Sequence, residues 1–184
     1  MKYSGLILAC ALLAGCASRK PLPVLGQVPE FTLTAQDGEP FDSKSLEGKI
    51  WVSDFIFTTC PGPCPRMSSQ MRWVGQQVAD LPDVRLVSFT VDPEHDTPPV
   101  LAEYAKRFGA DPGQWHFLTG PSSVLQHIDR EGFKLGGVDG SLTHSTRFVL
   151  VDRQRRIRGY YHTDDDEGLK QLVSDIRRLA REGT

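Results

Sequence analysis

Two cysteines four positions apart, Cys60 and Cys64, sit in the proline-bent stretch Thr59-Cys60-Pro61-Gly62-Pro63-Cys64-Pro65. Deprotonated thiols attack disulfides and bind soft metals, so a close pair can do redox chemistry or hold a metal ion. The residues on either side say how the pair is held. Residues 50–57 form an apolar run rich in β-branched and aromatic side chains, the pattern of a buried strand. After Pro65, Met67, Met71, Val74 and Val78 recur at helical spacing. Strand, loop and helix in that order place both sulfurs at a helix N-terminus, where free N–H groups and the helix dipole are expected to favour thiolate over thiol. A disulfide between residues four apart closes too small a loop to staple a fold, so the pair reads as chemical.

The flanking chain must build a scaffold for that loop. Residues 31–41 read as a small hairpin, and 84–91 as a second strong strand. Thr97 followed by Pro98 and Pro99 starts a helix whose buried stripe includes Leu101, Tyr104 and Phe108. A short strand over 115–119 precedes a helix that runs from Ser122 or Ser123 to about residue 131. A strand over 146–152 turns back into 157–162, and Asp164, Asp165 and Asp166 cap a last helix. Parallel strands with crossover helices, preceded by a hairpin and completed by an antiparallel hairpin plus helix, predict an α/β, thioredoxin-like sandwich.

The start of the chain reads as export machinery. Met1-Lys2 is positive, residues 6–13 are apolar but too few to span a bilayer, and Leu13-Ala14-Gly15-Cys16 resembles a bacterial lipoprotein cleavage site. Residues 1–15 are expected to be a signal peptide and 16–28 a tether. Residues 29–184 would then be one domain, anchored through lipid at Cys16 and facing the periplasm, with inner and outer membrane both open. Cys10 and Cys16 belong to the export segment, leaving Cys60 and Cys64 as the pair available in an oxidising compartment. The formal net charge of −2 provides no field for nucleic acid.

Three stretches together resemble the Sco/SenC family of thioredoxin-fold copper chaperones. They are Phe55 to Pro65 around the dithiol, Val91-Asp92-Pro93-Glu94-His95-Asp96-Thr97-Pro98, and Leu142-Thr143-His144-Ser145. The resemblance implies one copper ion held by Cys60, Cys64 and His144. It also implies delivery of copper to the dinuclear centre in subunit II of cytochrome c oxidase, or reduction of that centre's cysteines. Two thiolates and an imidazole make a soft donor set that suits Cu(I) and can also hold Cu(II). The competing reading is a thiol–disulfide oxidoreductase in which Cys60 and Cys64 form a redox-active catalytic pair. Exchange enzymes of this fold carry C-x-x-C and a proline before the later strand, whereas this chain has one residue more between its cysteines and no proline after Pro121. Peroxiredoxins have a proline seven residues and a threonine three residues before their cysteine, where this chain has Ser53 and Phe57.

Other residues have plainer readings. Asp92 and Asp96 are either supports for the site or caps for the helix at Thr97. His95, where the family often has arginine, is expected in solvent. Met67 and Met71 are expected in the core rather than on copper. Arg153, Arg155, Arg156 and Arg158 read as a solvated turn. His162 beside the aspartates needs no metal, because those acids suit a helix N-terminus.

Overall fold

A computed structural model describes residues 20–135 and 145–182. The apolar run becomes β4 (Ile50–Ile56), and all seven of its side chains are buried. A strand buried on both faces must lie mid-sheet, and β4 does. Its neighbours are β5 (Val84–Thr90), parallel to it, and β7 (Arg147–Val151), antiparallel to it. Beyond β5 comes β6 (Trp115–Thr119), again parallel, and then the hairpin of β2 (Thr32–Ala35) and β3 (Pro40–Asp42). Beyond β7 come β8 (Arg156–His162) and β1 (Gly26–Gln27). Among the described residues, eight strands make one sheet ordered β1-β8-β7-β4-β5-β6-β2-β3.

The parallel strands require crossovers, and helices supply them. α1 (Cys64–Gln77) links β4 to β5, and α2 (Pro98–Arg107) links β5 to β6. α3 (Ser122–His127) follows β6, and α4 (Asp166–Arg181) closes the chain, packing on β8 and α1. Asp165 caps α4 by accepting from the Gly168 amide, as the acidic run predicts. None of the helices among the described residues is long and apolar enough to cross a membrane.

Three features depart from the sequence expectation. The helix after β6 does not continue as α-helix to residue 131. From Ile128 to Phe133 it is a π-helical turn ending in Lys134 with a left-handed backbone. That turn drives Phe133 into the core, with its ring centroid 5.8 Å from Trp51 and 5.6 Å from both Phe55 and Phe89. Gly132 permits the fit, because a Cβ there would stand 2.8 Å from a Pro29 ring carbon. Second, part of the expected tether is on the sheet: β1 pairs with β8 and Val28 is fully buried.

Third, the arginines are not a solvated turn. Arg155 pairs with Glu30 and Arg156 with Asp152, while Arg158 is only 6% exposed and reaches Asp152 at 2.8 Å. Burial alone would raise the Asp152 carboxyl, but hydrogen bonds from Arg158, Arg156 and backbone amides hold it below its usual range. The folded form gains from this pairing above the ordinary carboxylate range and loses it as pH falls through the lowered value. Replacing Arg158 with alanine leaves a buried carboxylate short of its main partner. The expected cost is about 3 kcal/mol, read as a lower denaturant midpoint at neutral pH and a smaller deficit in acid.

Candidate metal centre

The dithiol lies where β4 runs out of sheet. Val91 N–H donates to Ile56 O at 2.9 Å, the last rung between the ends of β4 and β5. The chain then turns, with Cys60 N–H donating to Phe57 O at 3.3 Å, and enters α1 directly at Cys64. Proline suits the surrounding positions because the first helical N–H groups have no intrahelical partner. Cys60 is 8% exposed and Cys64 is fully buried, and both stand as thiols.

The loop is fastened by a carboxylate from the second motif. Asp96 is fully buried. It accepts from Thr58 N–H at 3.2 Å, from Thr58 Oγ1 at 2.5 Å and from Thr90 Oγ1 at 2.6 Å. Its own amide donates to Asp92 O at 2.8 Å, and Asp92 N–H donates to Thr90 Oγ1 at 2.9 Å. One side chain thus ties together the end of β4, the end of β5 and the loop between β5 and α2. Asp96 is no helix cap: Thr97 holds that position, without a side-chain capping bond.

The electrostatics around Cys64 overturn the expectation of a thiolate favoured by the helix N-terminus. Burial pushes the Cys64 thiol well above its ordinary value. A hydrogen bond with the Cys60 side chain and the nearby charges of Cys60 and Asp54 add to the effect, against an opposing hydrogen bond from the Phe57 backbone. Desolvation exceeds what one turn of helix dipole supplies. Two more acids share this interior. Asp54, fully buried on β4 opposite Ser88 of β5, is pushed up to about 7 by burial, with Ser88 pulling the other way. Tyr104 of α2, whose hydroxyl meets Ser68 Oγ at 2.9 Å, is also raised by burial, with Cys64, Asp54 and Cys60 contributing.

Of the residues singled out in the sequence, the fold brings Cys60 and Cys64 together and sets Asp96 beneath their loop. His144, Cys16 and Cys10 lie outside the described residues. Met67 and Met71 are fully buried in the core, and His95 is exposed. His162 is exposed too, 3.7 Å from Asp164. Asp54 was missed, although an acid inside an otherwise apolar strand is itself a signal. Tyr104 and Ser68 looked like ordinary helix positions.

The family model for SCO1/SenC matches residues 24–181, which takes in every strand and helix among the described residues. The chain belongs to the SCO1/SenC family. It is similar to the crystal structure of a SCO1/SenC family lipoprotein from Bacillus anthracis, with 32% identity and a TM-score of 0.77 over 84% of this chain and 95% of that one. It is likewise similar to BsSco, a member of the Sco family of cytochrome c oxidase assembly proteins in which a disulfide switch has been identified. There the identity is 31% and the TM-score 0.77, over 87% of this chain and 97% of that one. Arabidopsis thaliana ScoI, solved with copper bound, matches at 26% identity and a TM-score of 0.69, over 82% and 98% of the two chains. These likenesses establish the thioredoxin-like fold for this family member.

Because Asp96 satisfies three donors at once, Asp96→Ala is expected to cost about 3 kcal/mol and to speed amide exchange at Thr58. Asp96→Asn, which keeps the shape and one acceptor, is expected to cost less. Chemical denaturation and residue-resolved hydrogen exchange measure both effects.

Proposed function

We propose that this chain is an exported copper chaperone in which Cys60, Cys64 and His144 hold one copper ion as cargo. The proposed client is the dinuclear copper centre in subunit II of cytochrome c oxidase. Lipid at Cys16 would hold the protein to the membrane, with residues 1–15 removed. The observation that carries the reading is the pair of adjacent, nearly buried thiols at the end of β4, joined by a hydrogen bond between their side chains. A soft metal replaces the two thiol protons, and burial shields the resulting thiolates from water. Copper in the Arabidopsis relative and the assembly role of BsSco support the same reading.

A second reading draws on the same adjacency and on the disulfide switch of BsSco. One of Cys60 and Cys64 attacks a client disulfide as thiolate, releasing one client thiol and forming a mixed disulfide. The other then displaces the second client thiol, leaving Cys60–Cys64 oxidised and the client reduced by two electrons.

Copper titration of the reduced protein separates the two. The chaperone reading expects one tightly held copper per chain, lost in Cys60→Ser/Cys64→Ser and strongly weakened in His144→Ala, whose dithiol reduction potential stays near that of the parent. No stable copper together with a readily cycled disulfide would favour the oxidoreductase.

The raised Cys64 thiol also sets a pH dependence. Cys64 carries its proton through the neutral range, so copper bound there must expel it, and the affinity for Cu(I) rises with pH. For this proton the gain is about tenfold per pH unit, measurable by competition with a chelator whose own pH dependence is known.

A further inference from the structure

Among the described residues only three large apolar side chains are exposed, and two of them are neighbours: Val24, 56% exposed, and Leu25, 44% exposed. They lie in the segment that leads from Cys16 to the sheet. That segment is held along its backbone. Arg158 donates from Nε to Pro23 O at 3.0 Å and from Nη2 to Leu22 O at 2.6 Å, while its Nη1 holds Asp152. Leu25 N–H donates to Ile157 O at 2.9 Å, and Val28 N–H to Arg155 O at 2.9 Å. The backbone is therefore fixed while the side chains of Val24 and Leu25 are turned to solvent. A flexible tether has no use for a buried guanidinium clamp, and a free surface has no use for two adjacent apolar side chains held outward.

We infer that Val24 and Leu25, held by the Arg158 clamp, form a membrane-contacting edge that enters the interfacial zone of the bilayer anchoring the chain. The inference rests on lipid at Cys16, as proposed above. Chain length commits the occupant: Lys20 is four residues on from Cys16, a stretch that spans at most about 14 Å, so the bilayer is the apolar phase within reach. Lys20 precedes the apolar pair and supplies a positive charge on the membrane side of it, whereas the arginines of the adjoining hairpin are already engaged, Arg155 with Glu30, Arg156 with Asp152 and Arg153 with Leu179 O. The β1 edge of the sheet then faces the membrane. The dithiol loop, at the end of a strand three places in from β1, lies about 14 Å further along the sheet. A donor so placed serves copper acceptors close to the membrane surface.

The test uses the full lipidated chain in its Cys60→Ser/Cys64→Ser form, in vesicles of phosphatidylethanolamine and phosphatidylglycerol, with a spin label at Val24→Cys or, as a control, at Glu103→Cys on α2. The expected result is co-sedimentation with vesicles, with the label at 24 reached by oxygen but having lost its collisions with a water-soluble nickel chelate, and the label at 103 reached by both. Co-sedimentation with equal nickel access at 24 and 103 would overturn the membrane edge and leave the anchor intact. Dipolar broadening between labels at 24 would overturn it in favour of a second copy paired at β1. Failure to co-sediment would overturn the anchor at Cys16, and the edge with it.

Discussion

The complete burial of β4 is the constraint on which the rest of the structure depends. Because none of its seven side chains is exposed, the strand can present chemistry only where it leaves the sheet. From β4 the chain passes through β5 to β6 on one side, and later returns to lay β7 and β8 on the other. At the end of β4, β5 runs alongside in the same direction and β7 in the opposite one, so the carboxyl ends of β4 and β5 lie together at one edge of the sheet. Cys60 and Cys64 follow at that edge, where the chain leaves β4 and enters α1. The second motif reaches the same edge because β5 is parallel to β4 and ends beside it.

Burial also sets the protonation of the site, against the pull of the helix N-terminus. Cys64, Asp54 and Tyr104 are all pushed toward their protonated forms by desolvation. A neutral thiol is a poor nucleophile, so at Cys64 thiol exchange starts from the less reactive form. A metal ion faces no such obstacle, because it supplies the positive charge that makes two thiolates tolerable in a desolvated place. The environment of the dithiol thus sits more comfortably with metal-driven deprotonation than with a standing thiolate.

Much of this was legible in the sequence, and the exceptions are physically informative. β6 matches its expected span of 115–119, and the start of α2 at Pro98 follows from Thr97 and two prolines. Local patterns carry those signals. The π-helical turn was not legible, because it is set by Phe133 finding Trp51, Phe55 and Phe89, three rings from two distant strands. The arginine hairpin misled for the same reason: nothing near residue 158 in the sequence announces that Leu22 and Pro23 will come to it. At the site, spacing found the cysteines but not their protonation, which depends on how much of the chain closes over them.

Asp96 and Asp54 show why burial alone does not assign a role to a carboxyl. Both are fully buried near the dithiol. Asp96 has donors from Thr58 and Thr90 arranged around it, so its desolvation is offset by hydrogen bonds and its work is to build the loop. Asp54 faces one serine, Ser88, whose Oγ accepts from Trp115 Nε1 at 2.9 Å and has a single O–H left to donate to the carboxyl. A carboxyl left so poorly supplied adds little rigidity, and an apolar side chain of similar size would suit the strand better. What Asp54 contributes instead is electrostatic. Its charge raises the Cys64 thiol further, so any change in its protonation alters how firmly the dithiol holds its protons. The scaffold and the tuning of this site thus rest on two different acids, told apart by their donors.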